Sequence, residues 1–120
     1  MERKYDLEER LIDFADQVIE LVERLPNTKA ANHLGGQIVR SGTAPALLYG
    51  EAQAAESNAD FIHKTRIILK ELRETQICNK IIRKRNYVEA GFMAKLLQEN
   101  GELVAIFTAS IKTASSKQKP

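Results

Sequence analysis

Arg66, Lys70, Arg73, Lys80 and Lys84 recur at helical steps, with Ile77 filling the single gap in the row. Steps of three and four residues put side chains on one face of an α-helix. A row of five cations can do electrostatic chemistry: it can hold phosphodiester oxygens and release their counterions, with a steep dependence on salt. Lysines and arginines in this role contact phosphate and do not read bases. Arg83 and Arg85 thicken one end of the row. A second row, Glu9, Asp13, Asp16, Glu20 and Glu23, has the same spacing and the opposite sign. Ordinary solvated helices intersperse the two signs, because like charges four residues apart repel by a few tenths of a kcal/mol per pair. Segregation by sign therefore invites an external partner. One candidate is nucleic-acid phosphate on the basic row. The other is a second copy of the chain, with its acidic row against this basic one. Ile67, Ile77 and Ile81 near the basic row, and Ile12 and Ile19 near the acidic one, would supply the apolar part of such an interface; Glu9, Asp13, Asp16 and Glu20 would supply its acidic part. A head-to-tail contact of this kind closes into a ring when the rotation permits. The plainer alternative is that both rows are simply solvated.

Residues that carry covalent or metal chemistry are scarce. His33 and His63 stand outside any HExxH or paired-cysteine context, and Cys78 is the lone cysteine. That leaves no internal disulfide and no thiolate cluster, and Cys78 reads as a small buried apolar residue. The glycines of LGGQIVRSG do not fit GxxxxGK[ST], and no strand precedes them, so a phosphate loop is not expected. Glu51 and Glu56 lack the Glu-x-x-His partners of di-iron bundles. The expectation is a protein that is not an enzyme and needs no cofactor or metal.

The elements that must position the charged rows are helical. The chain has 120 residues, 43% hydrophobic and 28% charged, with a net charge of +2. One domain with a real core fits that length, and the near-neutral total points to no particular class of partner. No apolar run is long enough to span a bilayer. The segment MERKYDLEER lacks the apolar stretch of an export signal, which implies a cytoplasmic location.

Leu7, Leu11, Phe14, Val18, Val22 and Leu25 define a first amphipathic helix over about 6–25, ended by Pro26. Thr28 can cap a second, about 29–56. It is poor in helix formers, for it holds Gly35, Gly36, Gly42, Gly50 and Pro45. Each interior glycine costs about 1 kcal/mol against alanine, and proline about 3. Tertiary contact must compensate: small side chains let neighbouring backbones approach, while Ser41 and Thr43 hydroxyls help satisfy carbonyls freed by a kink at Pro45. Arg40 in this helix is expected to form a salt bridge with Glu51 or Glu56 of another helix or subunit. Ser57 or Asn58 caps a third helix, about 58–85, whose inner face is Phe61, Thr65, Ile68, Leu72, Gln76 and Ile82. A fourth, about 88–115, buries Phe92, Leu96, Leu103, Phe107 and Ile111, with Asn100-Gly101 as a turn signal inside it and a polar tail at 116–120. Four long helices with tight connections and no period-two alternation predict an all-α, antiparallel up-down-up-down four-helix bundle in one domain.

The runs LGGQIVRSGTA, EAQAAES and DFIHKTRIILKELRET, set in that layout, resemble the bacterial 23S rRNA intervening sequence proteins over about residues 7 to 115. The resemblance implies a left-handed antiparallel bundle and assembly into a pentameric ring. It also implies an accessory role: a similar protein, the accessory variability determinant of diversity-generating retroelements, is held to bind nucleic acid and a reverse transcriptase through basic surface. Here Leu47 stands where the family usually has asparagine, which leaves open whether a polar contact has been traded for apolar core.

Overall fold

The computed structural model describes residues 6–118 and is helical in four long segments. They are α1 (Leu7–Arg24), α2 (Lys29–Gln53), α3 (Asn58–Arg85) and α4 (Ala90–Gln118). The starts of α1, α2 and α3 have a local cause. The Asp6 carboxylate accepts from the Glu8 and Glu9 amides, Thr28 Oγ1 from the Ala31 amide, and Ser57 Oγ from the Asp60 amide, which satisfies donors that a helix start would otherwise leave bare. The Asp60 carboxylate accepts in turn from the Glu56 amide and lies beside Lys64, and both hold its pKa below the usual carboxylate value. Asn86 ends α3 in the left-handed region at φ 56°, a conformation that asparagine tolerates.

Three connections of four residues each turn the chain back on itself and produce the antiparallel four-helix bundle expected from the pattern. Its Cα envelope is flattened, 52 × 33 × 20 Å. α2 packs against α1 and α3, and α3 against α4, while α1 and α4 touch only sparsely. The core runs along the axis from Leu11, Phe14, Val18 and Leu21, through Ile38, Ile68, Leu72 and Ile82, to Met93, Leu96, Leu103 and Phe107. Val22, Leu25, Phe61, Phe92 and Ile111 are only partly buried, as is Gln76. Leu21, Ile62, Thr75, Cys78, Asn79, Met93 and Asn100 belong to the buried set that periodicity alone did not select.

The breaker-rich α2 is continuous through Pro45, which is itself buried. A Cβ on Gly42 would lie 2.8 Å from both Val18 γ-carbons, and one on Gly35 3.3 Å from Leu25 Cδ1. At these two positions the missing side chain sets how closely α1 and α2 approach. Gly36 and Gly50 face open space, so the four glycines do not share one role. Leu47 is 75% exposed and adds nothing to the core. The Thr43 hydroxyl donates to the Val39 carbonyl at 2.6 Å, and the Ser41 and Thr75 hydroxyls lie 2.8 Å apart across α2 and α3. Neither is directed at the Ser41 carbonyl, the one that Pro45 deprives of its amide, contrary to the expectation from sequence.

α4 runs unbroken through Asn100-Gly101 because Asn100 is buried and finds partners. Its amide donates to the Leu72 carbonyl at 3.1 Å, and its Oδ1 accepts from Asn79 Nδ2 at 2.9 Å. The helix also continues through Gln118, into the segment expected to be a tail; residues 119 and 120 lie outside those described.

Candidate nucleic-acid interface

α3 contains neither glycine nor proline over its 28 residues, so no kink interrupts the row that its outer face carries. Arg66, Lys70, Arg73, Lys80 and Lys84 are all exposed. At 1.5 Å rise per residue the row extends for about 27 Å. Among the described residues none of the five makes an ion pair or a side-chain hydrogen bond. Arg66, Lys70 and Arg73 rim a shallow depression together with half-buried Leu69.

The arginines at the helix seams behave differently, although Lys29, Lys95 and Lys112, like the row, make no ion pair among the described residues. Arg10 reaches from α1 to α4, donating to Glu99 at 2.7 and 2.8 Å and to Glu102 at 2.6 Å. Those bonds, Glu99 first, raise the Arg10 pKa further above its ordinary value; Glu102 is lowered, first by the Gln98 amide and then by Arg10. Arg24 holds Glu20 and Glu89 and covers the Phe92 ring at 4.3 Å. Arg40 joins α2 to α3 through Glu71, at 3.4 Å, and Glu74. The partners expected for Arg40, Glu51 and Glu56, are exposed and lie outside this network. The reason is helical geometry: Glu71 and Glu74 sit on the edge of α3 that meets α2.

On α1, Glu9, Asp13, Asp16, Glu20 and Glu23 are exposed, and among the described residues only Glu20 of these is paired, to Arg24. Ile12 and Ile19 are exposed on α1, and Ile77 and Ile81 on α3, the latter two at 57% and 44%. Ile67 is half-buried, less open than Ile77 and Ile81. Ile77 and Ile81 border a groove between α2 and α3 that also exposes Leu34, Gln37 and the edge of Cys78. The Cys78 thiol donates to the Leu34 carbonyl at 3.6 Å, and burial, with the nearby Glu74 charge second, pushes its pKa up to about 11. A thiol held protonated in this way is a poor nucleophile at neutral pH.

His33 and His63 are both exposed, and among the described residues no group of three or more His, Cys, Asp or Glu side chains is placed to hold a metal ion. No helix among them is long and apolar enough to cross a membrane.

The bundle and its surface can be set against known proteins. A crystal structure of a protein of unknown function from the S23 ribosomal protein family of Bacteroides thetaiotaomicron superposes with a TM-score of 0.82 at 28% sequence identity, covering 89% of this chain and 99% of that one. No curated protein matches. The 23S rRNA-intervening sequence protein family matches residues 3–109, almost the whole of the four-helix pattern. With the fold, the solved relative and the family match in agreement, the chain belongs to the 23S rRNA-intervening sequence protein family.

Proposed function

We propose that this protein is a non-enzymatic accessory protein of the cytoplasm that binds the phosphate backbone of nucleic acid along the outer face of α3. One observation carries the reading. Arg10, Arg24 and Arg40 each engage two carboxylates, whereas Arg66, Lys70, Arg73, Lys80 and Lys84 engage none among the described residues. Unneutralised cations in a fixed row are what counterion release requires. The family's name, which refers to intervening sequences of 23S rRNA, fits an RNA-linked role. A fluorescence anisotropy titration against a structured RNA at low and moderate salt tests it. Binding that weakens steeply with salt is expected; no binding at low salt removes the proposal.

A second reading concerns assembly, and the exposed isoleucines favour it. Ile12 and Ile19 accompany the acidic row and Ile77 and Ile81 the basic one, so α1 of one copy complements α3 of the next in both charge and apolar surface. Repeated, this contact builds a homo-oligomeric ring, a pentamer by family resemblance, and such a ring would display several basic rows to a nucleic acid or a reverse transcriptase. Light scattering at low and high salt decides: a monomer under both conditions ends the assembly reading. The double charge reversal Lys70→Glu/Arg73→Glu separates the two uses of α3, because it dissolves the ring if those residues serve assembly and leaves it intact if they serve only nucleic acid.

A further inference from the structure

We propose that the ligand of the α3 ridge is a double helix, held through its phosphates, and not an unpaired strand; this rests on the nucleic-acid reading above and narrows it. Proteins that hold single strands without sequence preference combine cations with aromatic rings on which successive bases stack, each worth about 1–3 kcal/mol. Among the described residues the α3 ridge has the cations and lacks the rings; Tyr5 lies outside them. The chain has no Trp, three Tyr and four Phe. Phe14 and Phe107 are buried in the core, and Tyr49 packs edge-on against Phe107 with centroids 6.1 Å apart. Phe92 lies under the Arg24 guanidinium. Phe61 is half-buried against the core one turn before Arg66, and Tyr87 is half-buried beyond the end of α3, beneath Arg85 at 5.9 Å. Between Arg66 and Lys84 no aromatic residue occurs at all. The uncharged members of that surface, Leu69 and Ile77, are aliphatic and offer no face on which a base can stack.

What the ridge does offer suits a duplex. It is unkinked and about 27 Å long, so it can lie against a groove edge. A duplex carries one charge per ~1.7 Å of axis, against one per ~3.4 Å for each of its strands. A rigid row of cations therefore meets more phosphate on a duplex, and it does not have to straighten a flexible chain first. Duplex RNA and duplex DNA share this chemistry.

The test is an anisotropy titration of the full chain against four labelled oligonucleotides: duplex RNA, duplex DNA, and an unstructured single strand of each. A length of roughly 20 base pairs is more than twice the ~8 that the ridge spans. At least one duplex is expected to bind about tenfold or more tighter than its single strand, with log affinity against log salt falling at a slope near −4.5 if all five cations engage. Which duplex binds tighter identifies the source. Arg66→Ala/Lys70→Ala/Arg73→Ala, folded by circular dichroism, should flatten the duplex slope by about 2.7. Single strands that bind as tightly as duplexes overturn the duplex inference and leave phosphate binding standing. No binding in any arm overturns both.

Discussion

The seams between helices and the outer ridge of α3 follow opposite rules. In the seams charges and close contacts are matched: Arg10 bridges α1 to Glu99 and Glu102 of α4, Asn79 meets Asn100, and Val18 occupies the space where Gly42 has no side chain. On the ridge five cations stand in line with no described partner. A chain with sixteen Asp and Glu residues has the means to neutralise that row. Most of the described ones lie instead on α1 or along the seams, and of the three on α3 itself Glu71 and Glu74 turn to Arg40 while Asp60 pairs with Lys64. The difference teaches that pairing here serves packing, and it is the ground on which an external ligand for the ridge is proposed.

Substitutions should therefore divide cleanly, with seam changes costing stability and ridge changes costing affinity. The largest stability effect is expected from Gly42→Leu, which forces a side chain into the Val18 methyls and should cost about 3 kcal/mol in urea unfolding by overpacking. Asn100→Ala comes next, at about 2 kcal/mol, because it strips the buried Asn79 amide of its partner. Asn79→Leu/Asn100→Leu, which removes both polar groups, should recover much of that loss in the same assay. Arg10→Ala is smaller, about 1 kcal/mol, since its ion pairs are partly solvated, and the difference from the parent should shrink at high salt. Lys70→Glu/Arg73→Glu should change the unfolding midpoint least, within about 0.5 kcal/mol, as exposed substitutions do. A ridge variant that unfolds like Asn100→Ala would erase the distinction between the two regions.

The helices were legible because burial follows the 3.6-residue period, and Leu11, Phe14, Val18, Ile68, Leu72, Leu96, Leu103 and Phe107 announce it. Asn100 was not: a polar residue followed by glycine looks like a turn until Asn79 and the Leu72 carbonyl, supplied by another helix, give it partners. Thr75 escaped for a related reason, since it carries no strong apolar signal, whereas Cys78 was read as buried and is. Leu47, whose burial the sequence left open, is 75% exposed on α2 and so adds no apolar core. Of the candidate site, the segregation of charge could be read directly. Which cations are neutralised could not, because Arg10 and Glu99 are 89 residues apart in sequence and Arg40 finds Glu74 across 34.

The central claim, that the α3 ridge binds phosphate, is tested most directly by comparing two charge reversals for affinity toward one duplex RNA at about 0.1 M salt. Lys70→Glu/Arg73→Glu should weaken binding by at least about 30-fold, as expected for two lost phosphate contacts and two added repulsions. Asp13→Lys/Asp16→Lys on the acidic face should not weaken it. If the two variants bind alike, or if the α3 variant matches the parent, the ridge is not the nucleic-acid interface.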